Sequence, residues 1–400
     1  MNNNVLTQVN KVYKKEHPSQ YININKKSLK KLSKAREELL LKLKIPKKIF
    51  NNSTLLDLGS GSGIYSLVYN NFGAKVHLVE YEKKFTEQSK KLFKKFSKNK
   101  YYKIVNSDIF KFKTKKKYQI ITFNGVAHHT HNPKKILNNA CKFLDKNGFI
   151  IYGIGNKSGF FQRAIQRLIL YKISRSENEI VKNANLLFEE HLKRAKKFGG
   201  RSIKQIVYDT YVNPKIDCQS SEEIVDIFEK NKITLYSTFP HLDYQETFSS
   251  PEINNYRNFN LKKTKAKDKS KIYISEHQWL TNTKNIKHLR IKKQLHNLEL
   301  LKNKLAAETN NKNHKNFNIN YRVVLNSMNK YTKQAKYFNQ VKLFDEKYQV
   351  NFFKEMKKLF YLLSKKNCDV KKISLFLKKT KFIFKGTIGV GMNYYVGYKR

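Results

Sequence analysis

Thr54-Leu55-Leu56-Asp57-Leu58-Gly59-Ser60-Gly61-Ser62-Gly63 decides how this chain of 400 residues is read. An apolar run holds an acid near its end, and three glycines follow at alternate positions. Apolar residues bounded by turn formers predict a strand buried on both faces, as in a parallel sheet. Glycine after such a strand permits positive φ and lets the backbone come close to a ligand. A helical pattern starts at Ile64, so its free N–H groups point back at the same spot. Strand, glycine loop and helix together make the local shape that holds a nucleotide-like ligand.

Working outward, the next strand is Lys75-Val76-His77-Leu78-Val79-Glu80. Its terminal acid lies about twenty residues beyond the loop, where a carboxylate can accept both hydroxyls of a ribose. Tyr81 follows and is placed to cover a base. A third strand over 102–105 leads into Ser107-Asp108-Ile109. An acid there can accept from an exocyclic amino group, and the Ile109 N–H can meet a ring nitrogen. The fourth strand, 119–124, ends at Asn124 and precedes Gly125-Val126-Ala127-His128-His129-Thr130-His131-Asn132-Pro133. A helix through Ile136, Leu137, Ala140, Phe143 and Leu144, a turn at Lys146-Asn147-Gly148 and a fifth strand over 149–154 complete the series. The glycines exclude a dinucleotide fingerprint, which needs G-x-G-x-x-G/A. Counted from Gly59 the last place holds Ile64, and counted from Gly61 it holds Ser66.

The Asp-x-Gly-x-Gly-x-Gly form resembles the first motif of class I S-adenosylmethionine (SAM) dependent methyltransferases. The strand ending in Gly-Val-x-His-His-Thr, then x-Pro, a helix and Leu-x-Lys-x-Gly, resembles their ubiquinone-biosynthesis-type branch, and the likeness runs over residues 50–155. The segment 152–159, with Gly153, Gly155 and Gly159, resembles the stretch after strand five in bacterial methyltransferases of unassigned substrate. Tyr208-Asp209-Thr210-Tyr211-Val212-Asn213-Pro214 is similar to their Asp-x-Tyr-x-His-Pro stretch, with Asn213 where the family often has His; this departure weakens a claim of acid–base chemistry at that position. The resemblance implies an enzyme with a Rossmann-like, seven-stranded α/β sheet, helices on both faces, and SAM as cofactor. It implies that Asp57 orders the loop while Gly59, Ser60, Gly61 and Gly63 meet the methionine part. Glu80 would hold the ribose, Tyr81, Asp108 and Ile109 the adenine, and Asn124 is counted with these contacts. His129 is the candidate base, suited to work near neutral pH, with His128 and Tyr211 toward the substrate. No metal is implied.

The remaining chain yields organisation and little chemistry. Residues 1–48 are expected to be a loosely structured arm followed by a helix capped by Ser28, with Leu29, Leu32, Ala35, Leu39, Leu40 and Leu43 inward. Residues 49–250 are expected to form the methyltransferase domain, with a helical insertion over 156–215. Ser221 opens a capped helix before a sixth strand over 233–239. A basic helical extension fills 251–383, with a linker over 262–271 and helical patterns near 284–308 and 350–379. Residues 384–400, rich in aromatic and β-branched side chains, are expected to rejoin the sheet as an antiparallel seventh strand.

Composition narrows the classes further. Hydrophobic residues make up 40% and aromatics 13%, which excludes a disordered chain. No apolar run reaches about eighteen residues, so no membrane span is expected. Cys141, Cys218 and Cys368 are scattered, which argues against a disulfide framework or a zinc site and for a cytoplasmic setting. The net charge is +52, yet residues 251–400, with 35 basic and 9 acidic side chains, hold only half of it. An excess that is mostly Lys and spread out along the chain reads as compositional drift rather than as a dedicated phosphate-binding patch. No Asn-Pro-Pro-Tyr type sequence follows strand four, which argues against methylation of a nucleobase amino group. No cysteine stands where it could attack a pyrimidine ring. The expected acceptor is therefore a small molecule, whether a saccharide, a lipid-linked or a quinone-like compound. The alternatives are an RNA methyltransferase gripping the backbone with its basic tail, and a non-catalytic SAM-binding protein.

Overall fold

The computed structural model describes residues 2–16, 24–199, 201–242, 272, 275–276, 279–280, 296–309, 318–340, 346–384 and 392–400. Helices α1 (Asn2–Glu16) and α2 (Lys26–Lys42) precede an alternation of β1 (Thr54–Leu58), α3 (Ile64–Asn71), β2 (Lys75–Glu80), α4 (Lys83–Phe96), β3 (Tyr102–Asn106), β4 (Tyr118–Asn124), α5 (Pro133–Phe143) and β5 (Leu144–Ile154). Then come α6 (Phe161–Ile173), α7 (Glu177–Gly199), α8 (Ile203–Val207), a π-helical turn Tyr208–Val212, α9 (Ser221–Lys230) and β6 (Ile233–Phe239). Helices α10 (His296–Thr309), α11 (Tyr321–Gln340), α12 (Glu346–Ser364) and α13 (Val370–Lys379) precede the last strand, β7 (Asn393–Lys399). Two units are present. Ser19–Ile154, Glu222–His241 and Met392–Arg400 form the sheet unit, and Met1–Pro18, Gly155–Ser221 and Leu242–Gly391 form the helical unit.

The sheet runs β3-β2-β1-β4-β5-β7-β6. Its first five strands are parallel and β7 is antiparallel between β5 and β6. Parallel strands covered on both faces must be apolar throughout, and Leu55, Leu56 and Leu58 are all buried. One face packs Leu40 and Leu43, Phe50, Leu67 and Tyr69, with Phe50 stacked on Tyr69 at 4.8 Å between ring centroids. Because β1 is flanked by β2 on one side and β4 on the other, its carboxyl end is the switch point of the strand order, the place where open α/β sheets take ligands. The seventh strand forms as expected, although the chain first passes through the helical unit.

Three expectations change. Asn2–Glu16 form a helix, not a loose arm, because Val5, Val9 and Val12 recur at helical spacing and Val9 and Val12 are buried; residues 17–23 of that arm lie outside those described. The cap of α2 is Asn25, whose Oδ1 accepts from the Ser28 N–H at 2.9 Å while Ser28 Oγ accepts from the Asn25 N–H at 2.9 Å. Ser28 is thus the reciprocal member of a capping box. Strand β5 starts at Leu144, which pairs with Tyr118, and its register resumes only at Phe149 opposite Ile120. Asn147, at φ +58°, lies in the irregular stretch of the strand between them.

In the helical unit, Phe161, Ile165 and Leu168 of α6 pack with Leu301 and Leu305, Val324 and Met328, and Phe352, Met356 and Phe360. The pattern expected near 350–379 is two helices. Asp369 caps the second by accepting from Lys372 N at 2.9 Å. The 262–271 linker and much of the 284–308 pattern fall outside the described residues.

Gly397 in β7 tests how tightly the sheet is closed. A Cβ there would lie 2.5 Å from Ile233 Cγ2 and 2.9 Å from Ile150 Cγ2. Gly397→Ala is expected to lower unfolding free energy by about 1–3 kcal/mol in denaturant titrations, as overpacking does. An unchanged midpoint would mean the strand does not sit this close.

Candidate active site

Parallel pairing of Leu58 with Val79 sets the end of β1 beside the end of β2. The loop after β1 is stitched to β2 by Gly59 N and Ser60 N, which donate to Val79 O at 2.8 and 3.2 Å. Gly59 has φ +69° and a Cβ on it would lie 2.6 Å from Val126 Cγ1, so only glycine fits. Gly61 is different: it has φ +54° and a Cβ on it would meet nothing within 4 Å. The loop is pinned at Gly59 and open at Gly61. Gly63, also at positive φ, leads into α3.

Glu80 closes the arrangement. It is 8% exposed. Its Oε2 accepts from Gly61 N at 2.7 Å and its Oε1 from Glu82 N at 2.9 Å. Burial pushes its carboxyl up, against the opposing effect of those backbone donors. Asp57 is buried too and accepts from Ser66 Oγ of α3. Burial again raises its pKa, and Ser66 and the charge of Arg36 oppose the rise. Asp57 therefore ties the first turn of α3 to β1. The groups that act on it lie on α3, β4 and α2.

Ser107 N donates to Glu80 O at 2.9 Å, and Asn106 Nδ2 donates to Glu80 O and Tyr81 O at 3.0 and 2.7 Å. These bonds draw the end of β3 against the end of β2. Asp108 Oδ1 accepts from Phe110 N at 2.8 Å, Ile109 is half-buried beside it, and Tyr81 is exposed. Asn124 is half-buried with an enclosed Oδ1 that has no partner among the described residues; the same holds for Ser60 Oγ. Residues Ala127–His129 form a single 3-10 turn after β4. His128 is buried, His129 half-buried, and their ring centroids are 4.1 Å apart.

The structure thus gathers Asp57, Gly59, Ser60, Gly61, Gly63, Glu80, Tyr81, Asp108, Ile109, Asn124, His128 and His129 at the carboxyl ends of the first four parallel strands. Tyr211 belongs to the helical unit. It is fully buried, donates to Gln166 Oε1 at 2.6 Å, and lies 3.2 Å from His191 Nδ1. Sequence reading missed Arg36, which is 5% exposed and holds its guanidinium 3.9 Å from the centroid of the Tyr65 ring. The signal was available: Arg36 falls in the helical register of Leu29, Leu40 and Leu43, where an apolar residue belongs. Asn106 was missed as well. Among the described residues no group of His, Cys, Asp or Glu is arranged to hold a metal.

A sequence profile described as a methyltransferase domain matches residues 26–231. No curated protein matches the sequence. Among solved structures, PKMT2 from Rickettsia typhi in complex with AdoHcy overlays at TM-score 0.44 and 14% identity, covering 61% of this chain and 50% of that one. Magnesium protoporphyrin IX methyltransferase from Synechocystis PCC 6803 with bound SAH overlays at TM-score 0.34 and 13% identity, covering 59% of this chain and 87% of that one. The present chain thus matches half the length of the Rickettsia protein.

The raised Glu80 carboxyl has a consequence for pH. The fold holds the protonated form more readily than the unfolded chain does, so this group favours folding below its ordinary 4.5. That contribution is lost as pH rises through the raised value. Denaturant midpoints of the ligand-free protein should therefore show Glu80→Gln gaining on wild type as pH climbs through that window. A difference that does not change with pH would contradict the burial of this carboxyl.

Proposed function

This chain belongs to the methyltransferase domain family, and from that premise we propose that it transfers a methyl group from SAM to a small-molecule acceptor. The observation that carries the reading is the open space at Gly61, bordered by the buried Glu80. A bare main chain can lie against the methionine part, while each Glu80 oxygen keeps a lone pair for a ribose hydroxyl. The enclosed Ser60 Oγ and Asn124 Oδ1, without partners among the described residues, supply further contacts at the same strand ends. In this assignment Gly59 and Gly63 shape the loop, Tyr81 covers the adenine, Asp108 accepts from its amino group and the Ile109 N–H meets its ring. Asp57 holds the loop from behind and touches no ligand.

When bound, SAM supplies a methyl group activated on a sulfonium sulfur. His129 takes the proton that the acceptor oxygen or nitrogen gives up as its new bond to carbon forms. It works as a neutral imidazole, the form that accepts a proton near neutral pH. His128, buried against it, fixes where that ring sits. Tyr211 receives no role in this scheme, because its hydroxyl is engaged inside the helical unit. Charge argues against a nucleic acid acceptor: the +52 excess is spread along the chain with no arginine-rich focus for a phosphate backbone. Among the described residues no helix is long and apolar enough to cross a membrane.

Calorimetry with SAM should give saturable heat for the wild type and none for Glu80→Ala; equal affinities would remove the ribose assignment. His129→Ala should keep cofactor affinity and lower turnover by about 10²-fold or more, the usual worth of a positioned base. The acceptor is identified by incubating the protein with methyl-labelled SAM and cell extract. Label in the small-molecule or lipid fraction supports the proposal. Label in RNA moves the assignment to a nucleic acid acceptor.

A further inference from the structure

Helix α6 of the helical unit carries Arg163, Gln166 and Arg167 at positions i, i+3 and i+4, which share one helical face. Arg167 is 1% exposed. It donates to Asn213 O at 2.9 Å, Tyr171 Oη at 2.8 Å and Thr210 O at 3.3 Å. Two of these acceptors are carbonyls at the end of the π-helical turn, so backbone oxygens meet this cation.

Arg163, one turn earlier, has no such arrangement. Among the described residues it makes no hydrogen bond and no ion pair, and its Nε is enclosed. Phe160 is the ring nearest its guanidinium, at 5.9 Å from the centroid. The carboxylate of Asp209 is already held by Arg201 at 2.8 Å. Gln166 is fully buried; its Oε1 accepts from Tyr211, but its Nε2 is enclosed with no partner among the described residues, and the same holds for Arg167 Nε.

Every unmet polar atom on this face is therefore a donor. Among the described residues the carboxylate that acts on Arg163 is Asp209, which it shares with Arg201, and the neighbouring titratable groups add no further negative charge. His191 is pushed down to about 3 by burial, with the charges of Arg163 and Arg194 adding to the effect, and is neutral. Burial pushes the Tyr211 hydroxyl up, so it is neutral as well. A cluster of buried donors around a guanidinium that shares its carboxylate fits a ligand made of acceptors with negative charge.

We propose that the Arg163–Gln166 face of α6 binds an oxyanion, the carboxylate or phosphate group of a small ligand. Arg163 supplies the forked donor pair and Gln166 Nε2 a further one. The proposal stands whether or not methyl transfer is the activity.

The test is calorimetry on the full chain at fixed ionic strength in chloride, titrating inorganic phosphate and, separately, acetate. The proposal expects saturable binding of at least one, and which one binds tells phosphate from carboxylate. Arg163→Gln should weaken it roughly tenfold or more, the loss expected when a charged hydrogen-bonding partner goes. Gln166→Glu, which places a carboxylate beside Arg163, should weaken it as much. Lys94→Gln, an exposed position on α4, should leave it unchanged. Should Arg163→Gln fail to fold by circular dichroism, Arg163→Lys and Gln166→Glu decide the matter. No saturation by either anion, wild-type affinity in the Arg163 and Gln166 variants, or an equal loss in Lys94→Gln would each overturn the proposal.

Discussion

The hydrogen bond from Gly61 N to the buried Glu80 carboxylate, 2.7 Å long, is the contact on which the rest of the sheet unit's functional edge depends. It joins the loop after β1 to the end of β2, and through Ser107 N and Asn106 Nδ2 on the Glu80 main chain it reaches β3. Burying a carboxylate is unfavourable unless donors meet it. Here two backbone N–H groups do, and they hold the loop open where no Cβ would touch anything. Asp57 acts behind the loop in the same way, fixing α3 through Ser66. Two acids thus divide the labour, one facing the crevice and one facing the core.

Much of this edge was legible in the residues. The apolar run to Leu58, the alternate glycines and an acid about twenty residues later are enough to place the loop beside Glu80, because parallel pairing puts successive strand ends side by side. The seventh strand was legible from its aromatic and β-branched composition even across a long helical excursion. The register of Leu29, Arg36, Leu40 and Leu43 pointed at Arg36, but a single polar residue on an apolar helix face looks like noise until the sheet beneath it is known. The capping role of Asn25 was hidden because Ser28 is an equally good capping residue by type. The amino-terminal helix was hidden by its asparagines and lysines, since the packing that stabilises it comes from tertiary contacts.

The helical unit was the least legible part. Its apolar spacing pointed to helices over 156–215 and near 350–379, left Tyr321–Gln340 unmarked, and said nothing about which polar groups the helices would trap. Arg163, Gln166 and Arg167 are residue types that ordinarily stay in water. In the structure Gln166 and Arg167 are buried, and Tyr211, which the motif placed near a substrate, is bound up with Gln166. Local pattern reports which face is apolar, whereas burial of the polar face depends on elements far along the chain.

The most direct measurement of the central claim is a crystal structure of the full chain grown with S-adenosylhomocysteine. The account predicts the nucleoside at the ends of β1 and β2, with its ribose hydroxyls on Glu80 and its amino-acid part against Gly61. Density for the ligand elsewhere, with the Gly61–Glu80 crevice empty, would contradict it.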